Sequence, residues 1–63
     1  MTPAEFRAHR EALGLSQAGL AELWGITGVH PARRISRWET GVTPIDPIAA
    51  YAIRLMVEMK GEE

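Results

Sequence analysis

Apolar residues recur along this chain with the period of a helix, and the first run is framed by helix signals at both ends. Phe6, Arg10 and Leu13 lie at i, i+4 and i+7, so one face carries two large apolar side chains with an arginine between them. Ahead of them, Thr2 is a capping residue, Pro3 suits a first helical position, and Glu5 stands where it completes a capping box with Thr2. Gly14 supplies a left-handed stop, so the pattern predicts a helix over about 3–13. Ser16 opens a second helix, and Leu20, Ala21, Leu23 and Trp24 give it an apolar face before Gly25, over about 17–24. The two or three residues between these helices demand a sharp turn. A turn-rich stretch from Ile26 to Pro31 leads into a third helix over about 31–40, which Gly41 stops.

At 100° per residue the third helix has two unlike sides. Arg33, Ser36, Arg37 and Thr40 project from one, while Ile35 and Trp38 occupy the other. A cylinder about 10–12 Å across fits a DNA major groove about 12 Å wide, so a basic face backed by a core face has the form of a recognition helix. An ordinary amphipathic surface helix has the same pattern. Asp46-Pro47 opens a last helix over about 47–60. Here Leu55, Ile48, Met59, Ala52 and Met56 form one apolar cluster. Ala49, Ile53, Val57 and Ala50 extend it to roughly 220° of the circumference, leaving Arg54, Glu58 and the Tyr51 hydroxyl to water. A helix this apolar has two sides to bury. One is expected to pack on the first three helices, while Ala49, Ala50, Ile53 and Val57 are expected to meet a second copy of the chain. The alternative is a half-exposed helix, or one wrapped by the termini.

Composition makes that second burial surface more pressing. The chain has 63 residues and no cysteine, enough for one domain spanning 1–63 and with no disulfide to brace it. Below about 70–80 residues a single core rarely supplies more than about 3–5 kcal/mol, and two lone histidines cannot complete a zinc site without cysteine, so self-association is the expected staple. The N-terminal residues show neither a basic nor an apolar signal region, and no apolar run approaches membrane-spanning length. The expectation is a soluble cytoplasmic chain with no membrane partner.

The formal net charge of −1 hides a local asymmetry. Gly28 to Gly41 contains Arg33, Arg34 and Arg37 against a single acid, Glu39, for a local +2; the remainder of the chain sums to −3. A cluster of this kind is either a solvated helix face or a binding surface for anions. No residues assemble a catalytic site: there is no thiol nucleophile, no carboxylate pair evidently confined in a pocket, and no glycine-rich phosphate loop. No enzyme activity, cofactor, metal or small-molecule ligand is expected.

Three stretches carry a family resemblance. Arg10-Glu11-Ala12-Leu13-Gly14-Leu15-Ser16-Gln17, then Leu20-Ala21-Glu22 with Gly25-Ile26, and then Ile35-Ser36-Arg37-Trp38-Glu39-Thr40-Gly41 resemble the Xre/Cro-like helix-turn-helix family of bacterial and phage transcription regulators. The resemblance covers about Glu5 to Gly41 and implies an all-α, compact four- to five-helix bundle containing a helix-turn-helix. Two departures stand out. Four residues, best placed as Gly28-Val29-His30-Pro31, are extra, which lengthens the turn before the recognition helix. Leu23-Trp24 stands where the family has a polar residue and then leucine, so Trp24 is expected to fill the core leucine site.

Carried over by position, the resemblance implies base reading by Arg33, Ser36 and Arg37. The arginine fork suits guanine O6 and N7. It implies a phosphate contact at Gln17. Arg34, Thr40, Thr43 and the backbone N–H groups after Gly41 are further phosphate candidates, as is His30 in the extra turn, whose alternative is a plain surface histidine. Arg10 and Glu39 resemble a family ion pair joining the first helix to the end of the third. The implied protein is a homodimeric autorepressor of phage or mobile-element type on a near-palindromic, double-stranded DNA operator. The rival expectation is a protein-interaction module, antitoxin-like or polymerase-binding, that uses the same basic helix.

Overall fold

Thr2 starts the first helix by closing two hydrogen bonds with Glu5. In the computed structural model, which describes residues 1–61, the Thr2 hydroxyl accepts from the Glu5 N–H at 3.1 Å and the Glu5 carboxylate accepts from the Thr2 N–H at 3.0 Å. Helix α1 (Pro3–Ala12) is followed by Leu13 and then Gly14, whose φ of 71° would strain any side chain. Ser16 caps α2 (Gln17–Leu23), its hydroxyl accepting from the Gly19 N–H at 2.9 Å. Proline occupies the first turn of both α3 (Pro31–Thr40) and α4 (Pro47–Gly61), and the Asp46 carboxylate accepts from the Ile48 N–H at 2.8 Å. The described residues form four helices and no strand.

Each helix supplies one fully buried large side chain to a common centre: Phe6, Leu20, Ile35 and Ile53. Burial of each is worth roughly 1.5–3 kcal/mol. Ala21, Trp38 and Ala49 complete this core, and the Trp38 ring stands edge-on to Phe6 with centroids 5.6 Å apart. Trp24 was expected inside. It packs on the rim of the core, half-buried and edge-on to Phe6 with ring centroids 6.3 Å apart, and its indole N–H donates to the Met56 sulfur at 3.3 Å, which ties the end of α2 to α4. An indole wants a partner for its N–H, and the rim supplies one.

Gly28-Val29-His30-Pro31, expected to lengthen the turn before α3, lies outside the core. The Ile26 N–H closes α2 on the Ala21 carbonyl at 2.9 Å; Gly28 then turns at a φ of 128°, Val29 points into solvent, and Pro31 restarts the helix. Helix α3 packs on both α1 and α2 regardless. Gly28, Val29 and His30 thus form an exposed surface loop ahead of the first turn of α3.

For α4 the structure reverses one expectation. Ala49 and Ile53 do not wait for a second copy: Ala49 is buried and Ile53 has no exposed surface, both in the core of the single chain. Helix α1 packs against this side, and Lys60 Nζ reaches the Ala12 carbonyl at 2.8 Å. Ala50 and Val57, grouped with them, are half-buried. The open face is the other cluster, with Ile48 78%, Met59 63% and Leu55 42% exposed, joined by Tyr51 at 66%. Both arcs are apolar, so hydrophobic periodicity alone does not say which one α1 covers. No described helix is long and apolar enough to cross a membrane.

Candidate nucleic-acid interface

The acid of the basic segment is withdrawn from the surface. Glu39 projects from the inner side of α3 with no exposed side-chain area, and Arg10 grips it with both prongs of its fork, Nε to Oε2 at 2.7 Å and Nη2 to Oε1 at 3.0 Å. The remaining Arg10 nitrogen donates to the Leu15 carbonyl at 2.8 Å. Gln17 Nε2 and Arg7 Nε add contacts to Glu39 Oε1 at 3.2 and 3.4 Å. Burial pushes the Glu39 carboxyl up, but the hydrogen bonds from Arg10 and Gln17, the Arg10 charge and the Arg7 contact outweigh it and hold the group below its usual range. Glu39 in turn raises the Arg10 guanidinium above its ordinary value. One carboxylate thereby pins α1, α2 and α3 together at the point where their ends converge.

Withdrawal of Glu39 leaves the open side of α3 with arginines and no acid of its own. Arg33, Arg34 and Arg37 are exposed, and none forms an ion pair among the described residues. By the helical period, Arg33, Arg37 and Thr40 lie along the crest, Ser36 on one shoulder and Arg34 on the other. Helix α3 is thus a ridge between two recesses. One, of about 370 Å³, separates it from the start of α2 and is lined by Gln17, Ala18, Val29 and Ser36 among others. The other, of about 570 Å³, runs under Arg34 and Arg37 toward Thr43 and Asp46. Arg33 and His30 border both. The cluster resolves into a protruding cationic edge with an open cleft on each flank.

The remaining expected phosphate contacts fare unequally. Half-buried Thr43 lines the larger recess, and exposed His30 makes no capping bond through its side chain, so both are open to a ligand. Thr40 donates its hydroxyl proton back to the Ser36 carbonyl at 2.9 Å, leaving an acceptor outward, where a phosphate needs a donor. Gln17 stands at the first position of α2, but its amide N–H₂ group is engaged with Glu39. The backbone N–H groups after Gly41 are corrected outright: those of Val42 and Thr43 point inward to the Arg37 carbonyl, at 3.0 and 3.4 Å, and close the end of α3.

Sequence reasoning missed two participants. Arg7 joins the Glu39 cluster, and its spacing of one helical turn from Arg10 was a readable signal. Asp46 places a carboxylate on the rim of the larger recess, although one of its oxygens is held by the first turn of α4. No group of three potential metal ligands occurs among the described residues. No known protein family, curated protein or solved structure matches the chain.

Proposed function

We propose that this chain is a sequence-specific DNA-binding transcriptional regulator of helix-turn-helix type, a homodimeric autorepressor of phage or mobile-element kind acting on an inverted-repeat operator. Helix α2, the long turn from Trp24 to His30 and helix α3 form the motif, and α3 enters the major groove. The observation that carries the reading is the burial of Glu39: it removes the only negative charge of the basic segment and leaves on a ridge three arginines that form no ion pair among the described residues. A ridge of α-helical width, about 10–12 Å, matches a major groove about 12 Å wide, and flanking clefts leave room for the two phosphate backbones.

On this reading Arg33 and Arg37 read bases from the crest with Ser36 beside them. Arg34, Thr43 and His30 meet phosphate along the larger recess, where contacts fix register and carry no sequence information. Gln17 contributes by holding Glu39. A homodimer sets two copies of α3 about 34 Å apart, one turn of DNA, so the operator is near-palindromic.

Selection of binding duplexes from random DNA tests the proposal. The expected result is one near-palindromic site bound at least about 1,000-fold more tightly than random duplex. If no sequence rises above random DNA, the regulator fails and the arginines belong to a protein-interaction module, where they meet acidic side chains.

A further inference from the structure

Helix α4 offers an apolar face that the described residues leave open, and its residues repeat with the spacing of a helix-pairing seam. Ile48, Ala52, Leu55 and Met59 fall within an arc of about 60° at 100° per residue. Tyr51 borders one edge of the arc, and no charged residue lies within it. Ile48 and Met59 are mostly exposed and Leu55 nearly half so. The steps between the four residues are four, three and four, which read the same from either end.

That spacing is compatible with a two-fold pair of antiparallel helices, in which an isologous contact sets residue i on j and j on i. Laid antiparallel, the stripe sets Ile48 against Met59 of the second copy and Ala52 against Leu55, a small side chain facing a large one at both central positions. Large against small is how facing layers fill space without voids. A parallel arrangement sets alanine on alanine and leaves a gap in that layer. Next to Ile48 and Ala52 lies a recess of about 320 Å³ lined by Trp24, Ile26 and Trp38, with Arg34 and Asp46 also on its wall; it has room for the second copy's Met59, whose thioether packs well against indole edges.

The area is sufficient. Ile48, Tyr51, Leu55 and Met59 leave on the order of 500 Å² open per subunit, and two such faces fully covered remove up to about 1,000 Å², the lower bound of a specific interface. We infer that the outer face of α4 is the homodimer surface, with Ile48 on Met59 and Ala52 on Leu55 across a two-fold axis. The inference rests on the homodimer of the preceding proposal and is independent of DNA binding.

Sedimentation of the full chain and cysteine cross-linking test it together. The wild type is expected to sediment as a dimer below about 100 μM, and Leu55→Glu to weaken association by about 100-fold or more while keeping its helical signal, since Leu55 lies outside the core. The chain has no cysteine, so Ile48→Cys and Met59→Cys report register cleanly. A mixture of the two variants is expected to form a disulfide on mild oxidation. Ile48→Cys alone is expected not to, because its two thiols stand about 16 Å apart along the axis, beyond the reach of a disulfide. A wild type that stays monomeric at about 100 μM, an undiminished Leu55→Glu dimer, or preferential linking of Ile48→Cys to itself overturns the inference. A monomer that still selects one duplex overturns the inference together with the homodimer of the preceding proposal and leaves sequence-specific binding standing; a dimer that selects none leaves the inference standing and overturns the regulator.

Discussion

Helices α3 and α4 bury one face each in the same core and leave very different faces behind. On α3, Ile35 and Trp38 point inward, Glu39 is sealed beneath Arg10, and the open side is cationic. On α4, Ala49 and Ile53 point inward and the open side is the uncharged stripe from Ile48 to Met59. A domain this small cannot cover both sides of its helices, so the outward residues are free to specialise. An uncompensated positive edge favours a polyanion, whereas an uncompensated apolar stripe favours another apolar surface.

The contrast depends first on Glu39 staying buried and paired. Arg10→Ala leaves that carboxylate stranded and is expected to cost about 3–5 kcal/mol, close to the whole stability of a chain this size, as read by urea unfolding. A double-mutant cycle with Glu39→Gln should show strong coupling; additivity would break the picture of a single electrostatic pin.

The two faces of α4 separate next. Ile53→Ala is expected to lose about 2–5 kcal/mol, and Ile48→Ala to change the stability of the isolated subunit by no more than about 0.5 kcal/mol. Measured at concentrations where the protein is monomeric, equal losses would erase the distinction between core face and open face.

On α3 the expected effects fall on binding rather than folding. Arg33→Ala and Arg37→Ala should each weaken the selected duplex by about 1–3 kcal/mol and relax sequence preference at one position, with unfolding curves unchanged. Wild-type affinity in both variants would remove them from the reading surface.

Acid sharpens the same comparison more gently. Glu39 is held below its usual range when folded, so its stabilisation is complete above the unfolded-chain value of about 4.3 and is lost as pH falls through the lower folded value. The melting temperature should be level from about pH 7 to 5 and then decline. Glu39→Gln should flatten that decline, leaving a residual slope from Glu5, whose carboxyl is held down by its bonds to Thr2. The smallest effect belongs to Arg7→Ala: this partner of Glu39 is 58% exposed against 12% for Arg10, so its loss should cost no more than about 1 kcal/mol in urea unfolding.

Local signals made the helices legible before any coordinates. Thr2 with Glu5, Ser16, Asp46 with Pro47, and the glycines at 14, 25 and 41 act through neighbours a few residues away, and each end lies within about two residues of its expected place. The split of α3 into a core side and an arginine side was legible for the same reason. Choosing between two apolar arcs on α4 was not, because that depends on where α1 lands. The engagement of the Gln17 amide with Glu39 and the inward turn of the Val42 and Thr43 N–H groups were equally hidden, since they follow from three helix ends converging and from how Gly41 closes α3. The resemblance pointed to Arg10 and Glu39 as partners; the depth to which Glu39 is buried, which changes the charge of the surface, came only with the structure.

The most direct measurement is the affinity for the selected duplex as a function of salt, for the wild type and for Arg34→Ala. Log K is expected to fall linearly with log salt by about 0.9 per phosphate neutralised, and Arg34→Ala to lower the steepness by about one contact while leaving sequence preference intact. Affinity indifferent to salt, or a slope that Arg34→Ala does not change, would contradict this expectation.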